Sequence, residues 1–227
     1  MAGGLRRPSA PSIALLTLLL LTAACSSPRP APPVPPVTPS PAAPGPVSPS
    51  PSPAQGPVIV GPAPADLHDV DWAKTPVPGE FCDVPGLVHL NAEGEATATS
   101  RTWGTVGIQG GNTIKYGDTD GDQRDEAAIY MACDDNGATM SGQLVAAYVV
   151  FTRKGDNLAA IGAITPRQKS ASYITALVGL EFAPGRITAH EKWYRQTDPH
   201  CCPTGDATTV WTREGDRLTP GEPRVVS

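Results

Sequence analysis

The chain has 227 residues, among them 27 prolines and 5 cysteines, with 40% hydrophobic and only 5% aromatic residues, and a formal net charge of −5. All 22 acidic residues lie beyond residue 65, whereas Arg6, Arg7 and Arg29 of the 17 basic ones precede it, so residues 66–227 carry a net charge of −8. A body so charged repels phosphate backbones, which excludes nucleic acid as a partner and favours cations or basic partners.

Residues 1–24 read as a signal peptide. Arg6 and Arg7 supply a basic start, and the apolar run from Ile13 is far shorter than the roughly 20 residues of a membrane-spanning helix. The run ends in Leu21-Thr22-Ala23-Ala24-Cys25, the small-small-Cys pattern of a lipobox. Cleavage before Cys25 and acylation of its thiol predict an anchor on the outer face of the cytoplasmic membrane. Two or more acyl chains, at about 0.8 kcal/mol per buried methylene, hold where one does not.

Residues 25–65 change character: 16 of the 40 residues from Ser26 to Ala65 are proline and Arg29 is the only charged one. Such a segment builds no core. It reads as a polyproline II stalk which, at about 3.1 Å per residue, reaches on the order of 120 Å.

Residues 66–227 are long enough for one globular domain with its own core. Apolar and β-branched runs recur between turn residues, and no segment holds a helical period for three turns. Strands are expected at Gly86–Asn91, Ala96–Ile108, Asn112–Tyr116, Ala127–Cys133, Gln143–Arg153, Leu158–Thr165, Ile174–Phe182, Arg186–Tyr194, Thr208–Arg213 and Arg217–Leu218, with one helical turn at Pro166–Ser172. Ala92-Glu93-Gly94-Glu95, Lys154-Gly155-Asp156-Asn157, Ala183-Pro184-Gly185 and Glu214-Gly215-Asp216 carry the chemistry of tight turns between antiparallel neighbours. In Arg186–Tyr194, Ile187, Ala189, Glu191 and Trp193 share one face. The pattern predicts a mainly β fold, an antiparallel meander forming a sandwich or partial barrel; the alternative is α+β with a helix on one face.

Cys82, Cys133, Cys201 and Cys202 in an oxidising compartment predict two disulfides. A bridge between the adjacent Cys201 and Cys202 makes a strained ring. The expectation is therefore that Cys82 and Cys133 each bond one member of that pair. Metal binding by His200, Cys201 and Cys202 is disfavoured, because neighbouring residues reach tetrahedral positions poorly.

Gly117–Ile129, GDTDGDQRDEAAI, is the one loop with a chemical signature. Asp118, Asp120 and Asp122 alternate and Glu126 follows, so a curling chain can aim four carboxylates at a hard cation such as calcium. Gln123 stands where such loops place glycine, at a cost of about 1–2 kcal/mol for left-handed geometry. Ile129 stands where an EF-hand places its bidentate Glu. Calcium binding is thus expected to be weak, and an alternative is an Asp/Gly-rich turn whose carboxylates accept backbone amides.

The loop resembles the calcium-binding loops of FG-GAP and VCBS repeats, in which Asp at the first, third and fifth places precedes an acidic ninth residue and an apolar strand. A single copy does not imply a propeller. With the signal, the stalk and the later PHCCPTG and TTVWTREGDRL segments, the chain resembles actinobacterial lipoproteins of the LppP/LprE type. That resemblance implies placement and architecture, with no activity to assign to a residue.

No catalytic constellation is legible. Ser141 lacks a Gly-x-Ser-x-Gly elbow, the four histidines are scattered, and His190-Glu191 has Tyr194 where a zinc-protease helix needs its second histidine. The expectation is a non-catalytic binding or scaffolding domain displayed on a lipid anchor, its envelope or extracellular ligand unknown. The alternatives are an envelope hydrolase using paired acidic residues such as Asp134-Asp135, and a purely structural cell-wall spacer.

Overall fold

Ala127, Ile129, Met131 and Cys133 point one way from their strand while Ala128 and Tyr130 point the other, and both sets are packed against apolar partners. A strand apolar on both sides belongs in the middle of a layered structure. In the computed structural model, which describes residues 56–137 and 142–227, this strand is central to a six-stranded antiparallel sheet. The described residues fall in one compact unit.

In chain order the large sheet is built from β1 (Val58–Pro62), β4 (Glu95–Ser100), β5 (Gly104–Gly117), β6 (Glu126–Asp134), β7 (Gln143–Lys154) and β8 (Asn157–Ile164), ordered β1-β8-β7-β6-β5-β4. A second antiparallel sheet holds β9 (Ala176–Ala183), β10 (Arg186–Trp193), β11 (Gly205–Arg213) and β12 (Leu218–Pro220), with β13 (Arg224–Val225) also paired to β11. A small ribbon joins β2 (Val77–Pro78) to β3 (Leu87–Val88). The fold is mainly β and antiparallel, with one sheet curled into a half-barrel.

Two cores result. On one face of the large sheet, Ile108, Ile129, Met131, Val149 and Phe151 meet Leu67, Trp72, Val77, Phe81 and Val84 from the segment between β1 and β4. On the other face, Ala128, Tyr148, Val150, Ile161 and Ile164 meet Leu177, Ile187, Ala189, Trp211 and Leu218 of the second sheet. Ile187, Ala189 and Glu191 are buried on β10 as their alternation requires.

Several boundaries move. The folded body begins upstream of residue 66, because Val58–Pro62, read as stalk, is the outer strand paired with β8. Prolines are tolerated there because one edge of an outer strand donates to no neighbour. The run Ala96–Ile108 breaks into a hairpin at Ser100–Gly104, where the Ser100 hydroxyl accepts the amides of Thr102 and Trp103, each at 3.3 Å. No helical turn forms at Pro166–Ser172; short 3-10 turns lie instead at Leu67–Asp69 and Glu80–Cys82. No helix of the described residues is long and apolar enough to cross a membrane. The signal peptide, Cys25 and the stalk as far as residue 55 lie outside the described residues, as does Ser141.

The disulfides also differ from expectation. Cys82 pairs with Cys133 and Cys201 with Cys202. Cys82 ends a 3-10 turn packed on the same face of the large sheet as Cys133, both fully buried, with Cα atoms 6.0 Å apart, inside the usual range for a bridge. Cys201 and Cys202 are exposed, just ahead of β11 in the other sheet.

Candidate functional site

The acidic loop connects β5 to β6, and its carboxylates divide their work. Asp118 Oδ1 accepts the amides of Asp120 (3.2 Å) and Gly121 (2.7 Å), while its Oδ2 accepts that of Gln123 (2.9 Å). Asp120 accepts the amide of Asp122 at 3.1 Å, and Asp122 that of Arg124 at 2.9 Å. These are successive Asx turns, formed because a short carboxylate reaches the amide two residues on. They force Gln123 to φ +67°, the left-handed geometry expected at that place.

Asp118, Asp120 and Glu126 come together, with one oxygen of each within 4.8 Å of the others, in an arrangement able to hold a metal ion. Asp122 is not part of this group. Its carboxylate is turned to Arg124, which donates through Nε (2.9 Å) and Nη2 (2.5 Å) and holds the Asp122 carboxyl below its ordinary range.

A residue far away in sequence completes the loop. Arg213, at the end of β11, places Nη1 2.8 Å from Glu126 Oε1 and Nη2 3.0 Å from Asp120 Oδ2, with its side chain only 7% exposed. It also donates to the hydroxyls of Thr119 (2.7 Å) and Thr152 (3.3 Å). Glu126 is buried; it accepts from Thr119 N (2.7 Å), Thr119 Oγ1 (2.5 Å) and Thr152 Oγ1 (3.0 Å). Burial, together with the Glu126 charge, raises the Asp120 carboxyl above its ordinary value against the pull of Arg213. The backbone joins in: Gly185 N donates to Thr119 O and Arg213 N to Gly185 O, both at 2.8 Å. A guanidinium thus bridges two of the three carboxylates of the group, and the loop is clasped to the second sheet.

Sequence reasoning named the carboxylates but missed Arg213, Thr119 and Thr152. Arg213 lies 94 residues from Thr119 and 61 from Thr152, so no local pattern could join them.

The acidic loop and the Cys201-Cys202 loop lie at opposite ends of β11. Nine residues separate them along one strand, Gly205 to Arg213, or about 26 Å at roughly 3.3 Å per residue.

Beside the acidic loop, His68 Nδ1 donates to Asp66 Oδ1 at 2.8 Å and the ring stacks on Tyr116, ring centroids 3.9 Å apart. Among the described residues no hydroxyl or thiol is hydrogen-bonded to a histidine ring. Glu95, Asp134 and Asp135 line a polar cleft of about 450 Å³; there Asp134 accepts from Asn136 N (2.8 Å) and Gln109 Nε2 (3.3 Å). A second cleft, of about 590 Å³, opens where β8 meets β12 and the Glu80–Cys82 turn, with Val58, Phe81, Ile161, Ala163, Trp211 and Leu218 among its walls.

No protein-family model, no curated protein and no solved structure matches the chain.

Proposed function

We propose that the chain is a lipid-anchored envelope protein whose two-sheet domain binds a ligand without transforming it. Cys25 carries the anchor, the proline-rich segment spaces the domain from the membrane, and the cleft of about 590 Å³ is the binding site. That cleft is the observation carrying the reading: it lies within the roughly 300–1,000 Å³ range of small-molecule sites and is walled chiefly by apolar side chains. A cell-wall spacer needs no such concavity. The acidic loop serves as a clasp, with calcium a weak competitor for carboxylates that Arg213 already engages. A domain in which Ala163→Trp fills the cleft should keep its fold and lose whatever envelope molecules the parent chain retains through washing, read by mass spectrometry. Equal retention by the two proteins refutes the reading.

The cleft lined by Glu95, Asp134 and Asp135 favours a second reading, an envelope hydrolase acting on glycans. Release of reducing ends from cell-wall glycan, abolished by Asp135→Asn, is the result it requires.

A further inference from the structure

We infer that the Cys201–Cys202 bridge is a redox-active site that takes two electrons from a dithiol by thiol–disulfide exchange. The inference goes beyond the reading of the domain as a binding module and uses neither cleft.

The two bridges of the domain are built for different work. Cys82 and Cys133 stand 51 residues apart in the chain and are both 0% exposed, so their bridge ties distant segments together out of reach of solvent. Cys201 and Cys202 are adjacent and both exposed. A disulfide stabilises a fold mainly by closing a loop of the unfolded chain, and a bridge between neighbours closes next to none. Stability therefore gives no reason for it. Reactivity does: exchange starts when a thiolate reaches a sulfur, and exposed bridges are the labile ones.

The loop that carries the pair is held without it. Asp198 accepts the amides of Arg195 (2.8 Å) and Thr204 (2.9 Å) and the Thr204 hydroxyl (2.8 Å), closing the loop at its base. Cys202 N donates to Pro199 O at 3.0 Å, and the Tyr194 hydroxyl donates to His200 O at 2.9 Å. Tyr173 lies against Tyr194 and His200, with ring centroids 5.0 and 4.1 Å away. None of these contacts uses a sulfur, so opening the bridge leaves two thiols side by side on a standing loop, from which the pair can close again. Neither cysteine lines the clefts of about 450 and 590 Å³. Both sit at the open surface, where a protein dithiol reaches them as readily as a small one.

In the exchange, a thiolate of the dithiol bonds to one sulfur of the pair, the Cys201–Cys202 bond breaks, and its electron pair leaves on the other sulfur, which takes a proton from water. The second thiol of the dithiol, losing its proton to water, then displaces the mixed disulfide. The dithiol ends as a disulfide, oxidised by two electrons, and Cys201 and Cys202 end as thiols.

The chain from residue 25 onward, oxidised and carrying Cys25→Ser so that no lipid or further thiol is present, tests this when mixed at neutral pH without oxygen with equimolar reduced thioredoxin or with dihydrolipoamide. Acid quenching, alkylation and peptide mapping read each bridge. Cys201 and Cys202 should be alkylated while Cys82–Cys133 stays closed, with an equilibrium constant of about 10 or more in favour of oxidised thioredoxin. The faster of the two reductants identifies the dithiol as macromolecular or small. Cys201→Ser together with Cys202→Ser should abolish the oxidation of thioredoxin and move Tm by no more than about 2 °C. A smaller equilibrium constant, as a structural bridge gives, overturns the inference, and so does a failure of both dithiols to react. A larger fall in Tm in the double variant, or Cys82–Cys133 opening as fast as Cys201–Cys202, overturns it as well.

Discussion

Arg213→Met removes the charge and the donors of the clasp while keeping much of the side chain's bulk. The guanidinium lies 2.8 Å from Glu126 Oε1 and 3.0 Å from Asp120 Oδ2, with Arg213 7% and Glu126 4% exposed, so the pair is desolvated and little screened. Removing one partner of a buried pair costs about 3–5 kcal/mol, because the other charge is left in low dielectric. Glu126 retains three donors, from Thr119 N, Thr119 Oγ1 and Thr152 Oγ1, which places this substitution at the lower end. About 3 kcal/mol corresponds to a fall in Tm of roughly 6–12 °C for a domain of this size. Urea unfolding at neutral pH measures the loss. Adding Glu126→Gln neutralises the stranded carboxylate, so the double variant should regain about 1–2 kcal/mol over Arg213→Met alone. The variant also leaves Asp118, Asp120 and Glu126 without their cation, so millimolar calcium should raise its Tm more than that of the parent. A loss under about 1 kcal/mol, the worth of an exposed pair, with no gain from Glu126→Gln, would refute the clasp.

In the parent chain, calcium near half-saturation adds only about 0.4 kcal/mol, a Tm increase of roughly 1 °C by differential scanning calorimetry; a large increase would mean that Arg213 yields the site. Glu191, buried on β10, accepts from Arg167 N (3.0 Å), Gln168 N (2.8 Å) and Thr209 Oγ1 (2.6 Å), so Glu191→Ala strands three donors and should cost about 3 kcal/mol in urea unfolding, with part regained by Glu191→Gln. Peptide mapping without reductant should recover a Cys82–Cys133 link, and replacing both by Ala should cost up to about 4 kcal/mol for a closure spanning 51 residues; a link from either to Cys201 or Cys202 contradicts the fold. The Arg124 hydrogen bond holds the Asp122 carboxyl below 3.8, so its stabilisation is complete above that value and is lost as pH falls through the lower folded one. Burial holds Asp120 above 3.8, so folding favours its protonated form and its contribution declines as pH rises from 3.8 through the raised value. Carbon-13 titration should find the Asp120 value lowered by Glu126→Gln and raised by Arg213→Met; no movement in either variant contradicts this account.

The sequence was most legible where one strand's side chains determine their own faces. Ala127–Cys133, Gln143–Arg153 and Arg186–Tyr194 were expected within a residue or two of β6, β7 and β10, because hydrophobic alternation and Gly-Asp or Pro-Gly turns are local signals. β1 was hidden because Pro57 and Pro62 bracket only Val58-Ile59-Val60-Gly61, and edge pairing with β8 depends on residues about 100 positions away. Of the four carboxylates expected to converge in the loop Asp118–Glu126, Asp118, Asp120 and Glu126 do, and Asp122 turns instead to Arg124. Its cation could not be read, since Arg213 comes to Glu126 only through the packing of the second sheet on the first. The disulfide pairing failed for the same reason: avoiding a bridge between neighbours is a local preference, and the burial of Cys82 against Cys133 is a tertiary one.

The two buried carboxylates bear on where function can reside. The interface between the sheets is made largely of Ala128, Val150, Ile161, Ile164, Ile187 and Ala189, aliphatic side chains that tolerate sliding against one another. Glu126 with Arg213 pins the end of β11, while Glu191, opposite Ala207 in the β10–β11 ladder, pins its beginning to the Arg167–Gln168 crossover. Buried polar pairs add little net stability over well-packed apolar ones, but they penalise every register in which they are parted. Carboxylates committed to that task at both ends of β11 are poorly placed to exchange ligands, because releasing them loosens the sheets. The flank at β8 and β12 joins the sheets through the apolar side chains of Ile161, Trp211 and Leu218 instead of through a carboxylate. Ligand exchange there would break no buried ion pair, in keeping with the binding role proposed for the domain.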